Sequence, residues 1–304
     1  MRCFSRGTRI PALLVVGIGL TLLAAEGFAA PAASPRKVPP GAAALGYTKC
    51  VIDERPSVAD IAPGPTGNFK WFMGLWYHTQ VSLKNYKMVD GVLAIHPRGV
   101  LVSAPHDFAN TGRLPTLAGK DGFYAEFDVR LSDDDPDHWP AVWLMPVEHN
   151  GKQGDHYAGD PEGYVRYMEL DVDEGSFGPG MTATVHNWAG DYRRLERHIQ
   201  NPNNFLPTPL DRTRMHTFGA SYDPAKTSVT WWLDGVKQIS ATLPYVPRIA
   251  AKQHFYLIMN ANYQKKKNLD YTLFVSGVRA YVPAKSPLPA VPGAQGLGKA
   301  ASKQ

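Results

Sequence analysis

Tyr167-Met168-Glu169-Leu170-Asp171-Val172-Asp173-Glu174 alternates apolar and acidic side chains with a period of two. That is the pattern of an extended strand, on which Leu170 and Val172 pack inward while Glu169, Asp171 and Asp173 share the other face. Glu174 then falls out of phase. One extra residue, inserted as a β-bulge, would return it to the face of Glu169 and Asp171. Two triads are therefore open: Glu169, Asp171 and Glu174 across a bulge, or Glu169, Asp171 and Asp173 in plain alternation. Carboxylates gathered this closely repel one another and resist desolvation, so the cluster asks for a use. The plainest use is an acidic edge strand that discourages aggregation.

The same period recurs on both sides of this run. Strands are expected over Val92–His96, Gly122–Leu131, Ala141–Met145, Tyr167–Asp173, Met181–Trp188, His216–Tyr222, Ser228–Leu233, Phe255–Asn260 and Tyr271–Val282. No 3.6-residue periodicity is sustained and no repeat of fixed period is present. Asp90-Gly91 and Asp234-Gly235 are hairpin dipeptides, and Asp223-Pro224 starts a turn between two strands. So many short strands in one chain predict an all-β, two-sheet sandwich.

Arg2, Arg6 and Arg9, an apolar run from Ile10 to Ala25 and small residues at Gly27, Ala29 and Ala30 predict a signal peptide over 1–30, and a secreted or periplasmic protein. No later segment approaches the length of a membrane span. Residues 31–46 and 284–304, rich in Pro, Ala and Gly, are expected to be a flexible linker and tail. A single domain over 47–283 remains. Of two cysteines, Cys3 leaves with the signal and Cys50 stays alone, so stability rests on a core and not on an internal disulfide. The net charge of +5 falls to about +3 without Arg2, Arg6, Arg9 and Glu26, too mild to suggest nucleic acid. There is no G-x-S-x-G, phosphate loop, dinucleotide fingerprint or Cys/His metal spacing, and no metal is expected. His149, Asp155 and His156 share a Gly-rich connection without a recognised ligand spacing.

Glycoside hydrolysis with retention uses two carboxyl groups roughly 5 to 5.5 Å apart, one ionised as nucleophile and one protonated as acid. A third carboxylate between them positions the nucleophile and drives the two pKa values apart. The alternating strand supplies all three groups.

Phe123-Tyr124-Ala125-Glu126-Phe127-Asp128-Val129-Arg130, Trp139-Pro140-Ala141-Val142-Trp143-Leu144 and the Glu169–Glu174 strand resemble, in order, strand motifs of glycoside hydrolase family 16. Thr184-Val185-His186-Asn187-Trp188, His216-Thr217-Phe218-Gly219, Trp232-Leu233-Asp234-Gly235 and Val275-Ser276-Gly277-Val278-Arg279-Ala280-Tyr281 continue the resemblance, which spans roughly residues 65–283. It implies a concanavalin A-like jelly roll with a concave cleft for a polysaccharide, retaining endo-hydrolysis and no catalytic cofactor. Glu169 then resembles the nucleophile, Asp171 the assisting carboxylate and Glu174 the acid/base. Departures are Asp173, where an apolar residue is usual, Tyr167-Met168, where a small pair is usual, and Ser276, where many members have an aspartate contributing to calcium, so calcium is not expected.

Trp143 and Trp188, at motif positions near the implied cleft, and His186, which alternates with Thr184 and Trp188, are candidate substrate-binding residues, together with Asn260. Asp128 and Arg130 share a strand face and are read as an end of the cleft or as a cross-strand ion pair. Arg193, Arg194 and Arg197 with Lys265-Lys266-Lys267 raise the prospect of an anionic polymer. The expected partner is a β-linked polysaccharide, a β-1,3- or mixed-linkage glucan or a bacterial exopolysaccharide, bound by a monomer. A lectin-like binder and a transglycosylase on the same scaffold are the alternatives.

Overall fold

Runs in which every second side chain is apolar become strands with one face inward. The structure is a computed structural model that describes residues 37–64, 67–75, 77, 82–105, 112–149, 155–175, 180–191, 194–262 and 270–287, without the side chains of 194–196. Its strands are β1 (Lys49–Glu54), β2 (Phe72–Met73), β3 (Tyr86–Val89), β4 (Val92–Ile95), β5 (Val100–Val102), β6 (Leu117–Ala118), β7 (Phe123–Leu131), β8 (Pro140–Pro146), β9 (Tyr164–Glu174), β10 (Thr184–Asp191), β11 (Arg194–Gln200), β12 (His216–Asp223), β13 (Ser228–Leu233), β14 (Val236–Ala241), β15 (His254–Ala261) and β16 (Leu273–Val282). They form two antiparallel sheets: β14-β13-β12-β7-β16-β4-β3 with β1 beside β16, and β11-β10-β9-β8-β15-β5-β2 with β6 beside β15. This is the expected all-β sandwich of jelly-roll type. Among the described residues no helix is long and apolar enough to cross a membrane.

The main core lies between the sheets. Phe123, Ala125, Phe127, Val129 and Leu131 alternate inward from β7 against Leu144, Met168, Leu170, Val172, Val185, Leu257 and Met259 of the opposing sheet. Each large side chain buried there contributes about 1.5–3 kcal/mol relative to exposure. A second cluster, including Phe72, Val102, Trp143, Tyr167, Tyr256 and Ile258, covers the other face of the β9 sheet and floors the site described below.

The hairpin dipeptides behave as their chemistry dictates. Asp90 and Gly91 have φ of 51° and 76°, Asp234 and Gly235 of 49° and 77°, the left-handed pair that a two-residue turn requires. Within the stretch expected to be a linker, Pro40–Ala43 forms a helical turn with Ala42 fully buried. Ala42 packs in a third cluster with Tyr47, Tyr124 and Tyr281, and a Cβ on the neighbouring Gly41 would stand 2.4 Å from the Tyr124 ring. Residues 1–36 and 288–304, which hold the expected signal segment and most of the tail, lie outside the described residues.

Candidate active site

The register of β9 against β8 resolves the phase of the carboxylates. Trp143 pairs with Asp171 and Val142 with Asp173, leaving Val172 as the extra residue of a β-bulge. Glu169, Asp171 and Glu174 consequently line one depression of about 240 Å³ with Leu75, Tyr77, Val100, Trp139, Ala141, Trp143, Asn260 and Asn262. Met168, Leu170 and Val172 point into the core. Plain alternation, with Asp173 as third member, is not what forms: Asp173 turns inward and is paired by Arg212, Nη1 to Oδ2 at 2.7 Å and Nη2 to Oδ1 at 3.1 Å. A larger cavity of about 600 Å³, lined by Arg166, Arg197, Arg248 and Leu243 among others, has no carboxylate among the described residues of its lining.

Each carboxylate of the triad has its own neutral donor or imidazole. Trp188 Nε1 donates to Glu169 Oε2 at 2.9 Å, and Trp139 Nε1 to Glu174 Oε1 at 2.7 Å. His186 Nε2 hydrogen-bonds Asp171 Oδ2 at 2.9 Å, and its Nδ1 meets His198 Nε2 at 2.6 Å. The backbone of Asp171 is fixed from the core side, where the buried Trp231 Nε1 donates to its carbonyl at 2.7 Å. Gly175 follows Glu174 at a point where a Cβ would stand 2.4 Å from Pro140 Cδ and 2.7 Å from His138 O, so the chain turns away with no room for a side chain.

Burial pushes all three carboxyls up. Glu169 rises to about 8, chiefly by desolvation and then by the charge of Asp171, with His186 and the Trp188 hydrogen bond opposing. Asp171 also rises to about 8, by desolvation and then Asp173. Glu174 rises to about 7 through desolvation and then Asp171, opposed by the Trp139 hydrogen bond and by His186. Such groups titrate as a set, so the physical statement concerns the set: at neutral pH it retains protons that isolated carboxylates would have lost. A site that holds an ionised and a protonated carboxyl together is equipped for acid-assisted nucleophilic displacement. One oxygen each of Glu169 and Asp171 and a nitrogen of His186 lie within 4.8 Å of one another, a spacing at which a cation could also sit.

Of the sequence-predicted binding residues, the fold brings His186, Trp188, Trp143 and Asn260 to the triad's face. Trp143 Nε1 donates to Asn260 Oδ1 at 2.6 Å, which ties two walls of the depression together. Trp188 acts on Glu169 through its edge, because His198 covers one of its faces at 3.8 Å and 12°. Asp128 and Arg130 are corrected. They sit on β7, in the other sheet, where Asp128 is held by Arg279 at 2.6 Å and Arg130 lies over the Phe274 ring at 3.8 Å. The cross-strand alternative applies, since β16 pairs beside β7 and supplies the cation. Lys265–Lys267 and Arg193 lie outside the described residues, as does the side chain of Arg194, whereas Arg197 is exposed.

Trp139 and Asn262, weaker candidates in the sequence beside Trp143 and Asn260, also line the site, and Tyr77 and His198 line or support it without a reading from the sequence. Trp139 precedes β8 and carried a usable signal, an aromatic donor in the segment that pairs with the carboxylate strand. His198 carried none, because β11 is an edge strand without clear alternation.

No family model matches the chain, and no curated protein matches it. Solved structures similar to it include the endo-β-1,3-glucanase from Pyrococcus furiosus, at 16% identity and TM-score 0.44, with 66% of this chain and 78% of that one covered. The κ-carrageenase from Pseudoalteromonas carrageenovora, in complex with an oligotetrasaccharide of κ-carrageenan, is similar at 17% identity and TM-score 0.45, covering 66% of this chain and 83% of the other. A GlcNAcα1-4Gal releasing endo-β-galactosidase from Clostridium perfringens is similar at 14% identity and TM-score 0.48, covering 80% and 64%. At these identities and scores no residue's role is taken from them.

Proposed function

We propose that this chain is an exported, retaining endo-glycoside hydrolase acting on internal β-linkages of a polysaccharide. The observation that carries the reading is the bulge at Val172, which puts Glu169, Asp171 and Glu174 on one solvent-reachable face while the fourth carboxylate turns away. In the reaction, Glu174 gives its proton to the leaving glycosidic oxygen as Glu169 attacks the anomeric carbon from the opposite side. Glu174 then takes a proton from water, whose oxygen displaces Glu169 from the glycosyl-enzyme and restores the starting state. Asp171, hydrogen-bonded by His186, stands between the two and keeps the set from losing all its protons at once.

A polymer that enters from both ends suits an open depression flanked by Trp139, Trp143 and Tyr77. β-1,3- or mixed-linkage glucans and acidic bacterial exopolysaccharides are the substrates to try, and the amino-terminal segment supports export. The departures that a lectin reading would use do not occupy the triad. Met168 is in the core, Asp173 faces inward, and Tyr167 stacks on His149 at 3.6 Å.

The test is reducing-end release from laminarin, mixed-linkage glucan, agarose, carrageenan and an acidic exopolysaccharide. Wild type should cleave one class, with turnover lost in Glu169→Gln and Glu174→Gln. Binding to a polymer without cleavage of any would move the chain to the lectin class.

A further inference from the structure

Behind Glu174, on the core side of β9, a second charged constellation has no place in the chemistry above. Asp173 is 3% exposed and Arg212 9%. Besides the two bonds from Arg212, Asp173 Oδ1 accepts from the Thr182 backbone N–H at 3.1 Å. Arg212 Nη2 also donates to the Gly180 carbonyl at 2.9 Å, and its guanidinium lies 5.7 Å over the Phe218 ring. Its backbone is tied to the end of β7 and to the connection from β7 to β8: Leu131 N–H donates to the Arg212 carbonyl at 2.6 Å, and Arg212 N–H donates to Asp134 Oδ1 at 3.2 Å. That connection carries Trp139, the donor to Glu174.

A buried ion pair gives little stability that a matched apolar pair would not also give, because desolvating two charges offsets their attraction. Among Val129, Leu131, Val142, Phe218 and Leu273, which line the same interior space, leucine and methionine would serve the core equally well. What an apolar pair would not do is fix direction. The bidentate fork holds the residue after the bulge in one orientation, and a bulge is where a strand otherwise has freedom to slip by one residue. A slip here would exchange Asp173 for Glu174 at the cleft.

We infer that Asp173 and Arg212 form a positioning pair that locks the Val172 bulge, aims Glu174 at the substrate, and couples that aim to the segment bearing Trp139. The pair rests on the hydrolase reading only for its consequence in turnover; the locked geometry is a property of the fold. Asp173 also lies among the charges felt by Glu174, with Asp171 and His186 on the cleft side, and its charge favours the protonated acid.

The experiment uses the full chain, wild type, Asp173→Asn and the matched apolar swap Asp173→Leu/Arg212→Met, which keeps the core filled. The value of kcat/KM, which reports the steps up to glycosyl-enzyme formation, is measured on the polymer that wild type cleaves and on a dinitrophenyl glycoside of the same sugar, whose leaving group needs little proton assistance. Polymer kcat/KM should fall at least ~10-fold in both variants while that of the activated glycoside falls less than about 2-fold, the pattern of a misaimed acid. A carboxyl NMR titration of Glu174, which needs no substrate, should show its midpoint lowered in Asp173→Asn. Unchanged polymer turnover with an unchanged Glu174 midpoint would overturn the proposal, as would equal loss on both substrates with an unchanged midpoint. Should wild type cleave nothing, the hydrolase reading fails and the NMR shift of the Trp139 indole N–H, which donates to Glu174, decides the positioning claim: it should move in the apolar swap, and an unmoved shift would overturn the claim.

Discussion

Two strand faces in this molecule collect carboxylates, and they are treated in opposite ways. On β7, alternation puts Glu126 and Asp128 on the outer face, where Arg279 from β16 answers both. It reaches Glu126 through Nε and Asp128 through two bonds of 2.6 and 2.5 Å, while Tyr124 donates to Glu126 at 2.7 Å. On β9, Glu169, Asp171 and Glu174 receive two indole N–H groups and one imidazole, with no lysine or arginine among the partners described for them. The first face is compensated and therefore structural. The second is left short of positive charge, which keeps protons on carboxyls where chemistry can use them.

Four experiments break or sharpen that contrast. Removing the cation in Arg279→Met should cost about 3–5 kcal/mol, since it strands two carboxylates that the fold has withdrawn from water. Denaturant titration checks the loss, and turnover per folded molecule should stay at the wild-type value. Supplying a cation to the other face, in Trp188→Arg, should pull the coupled set down, Glu174 included, and take the proton from the acid at neutral pH. Turnover on the cleaved polymer should then fall by about 10²-fold or more.

The third concerns stability against pH. The triad carboxyls have folded pKa values above their unfolded ones, so the folded state holds more protons between about pH 4 and pH 8, and stability falls as pH rises through that window. Glu169→Gln should therefore be the more stable protein above pH 7, by about 1–3 kcal/mol, with the difference gone at pH 4. Equal pH slopes for the two proteins in thermal melts would refute it. The smallest effect belongs to Trp139→Phe. Losing a donor that favours the ionised form of Glu174 should raise that group, moving the alkaline limb of kcat/KM upward by about one pH unit.

The contrast between the two faces also marks where sequence ceases to inform. Period-two alternation located β7, β8, β9, β12, β13 and β16 to within a few residues, and the Asp-Gly pairs located two hairpins, because both signals are local. Alternation even framed the phase problem at Glu174 and admitted the bulge that solves it. It had no means of telling which sheet a strand would join, and so Asp128 and Arg130 were credited to a cleft on the far side of the core. The partner of Asp128 is Arg279, 151 residues later, and that of Arg130 is the Phe274 ring. The direction of Asp173 was equally closed to inspection, being set by Arg212 at a separation of 39. Short or polar strands such as β2, β6 and β14 carry too little apolar pattern to announce themselves; β14 is exposed along most of its length.

The stacking of Trp188 has a spectroscopic corollary. Its indole lies 3.8 Å from the His198 ring and donates to Glu169, so one fluorophore touches both ends of the site's proton inventory. An imidazolium in face contact quenches indole emission. His198 is held below the usual imidazole range, by burial and then by the neighbouring His186. The difference in emission between wild type and Trp188→Phe should therefore brighten as pH rises, with its midpoint on the acid side of neutrality, giving an optical titration of the cleft that requires neither label nor substrate.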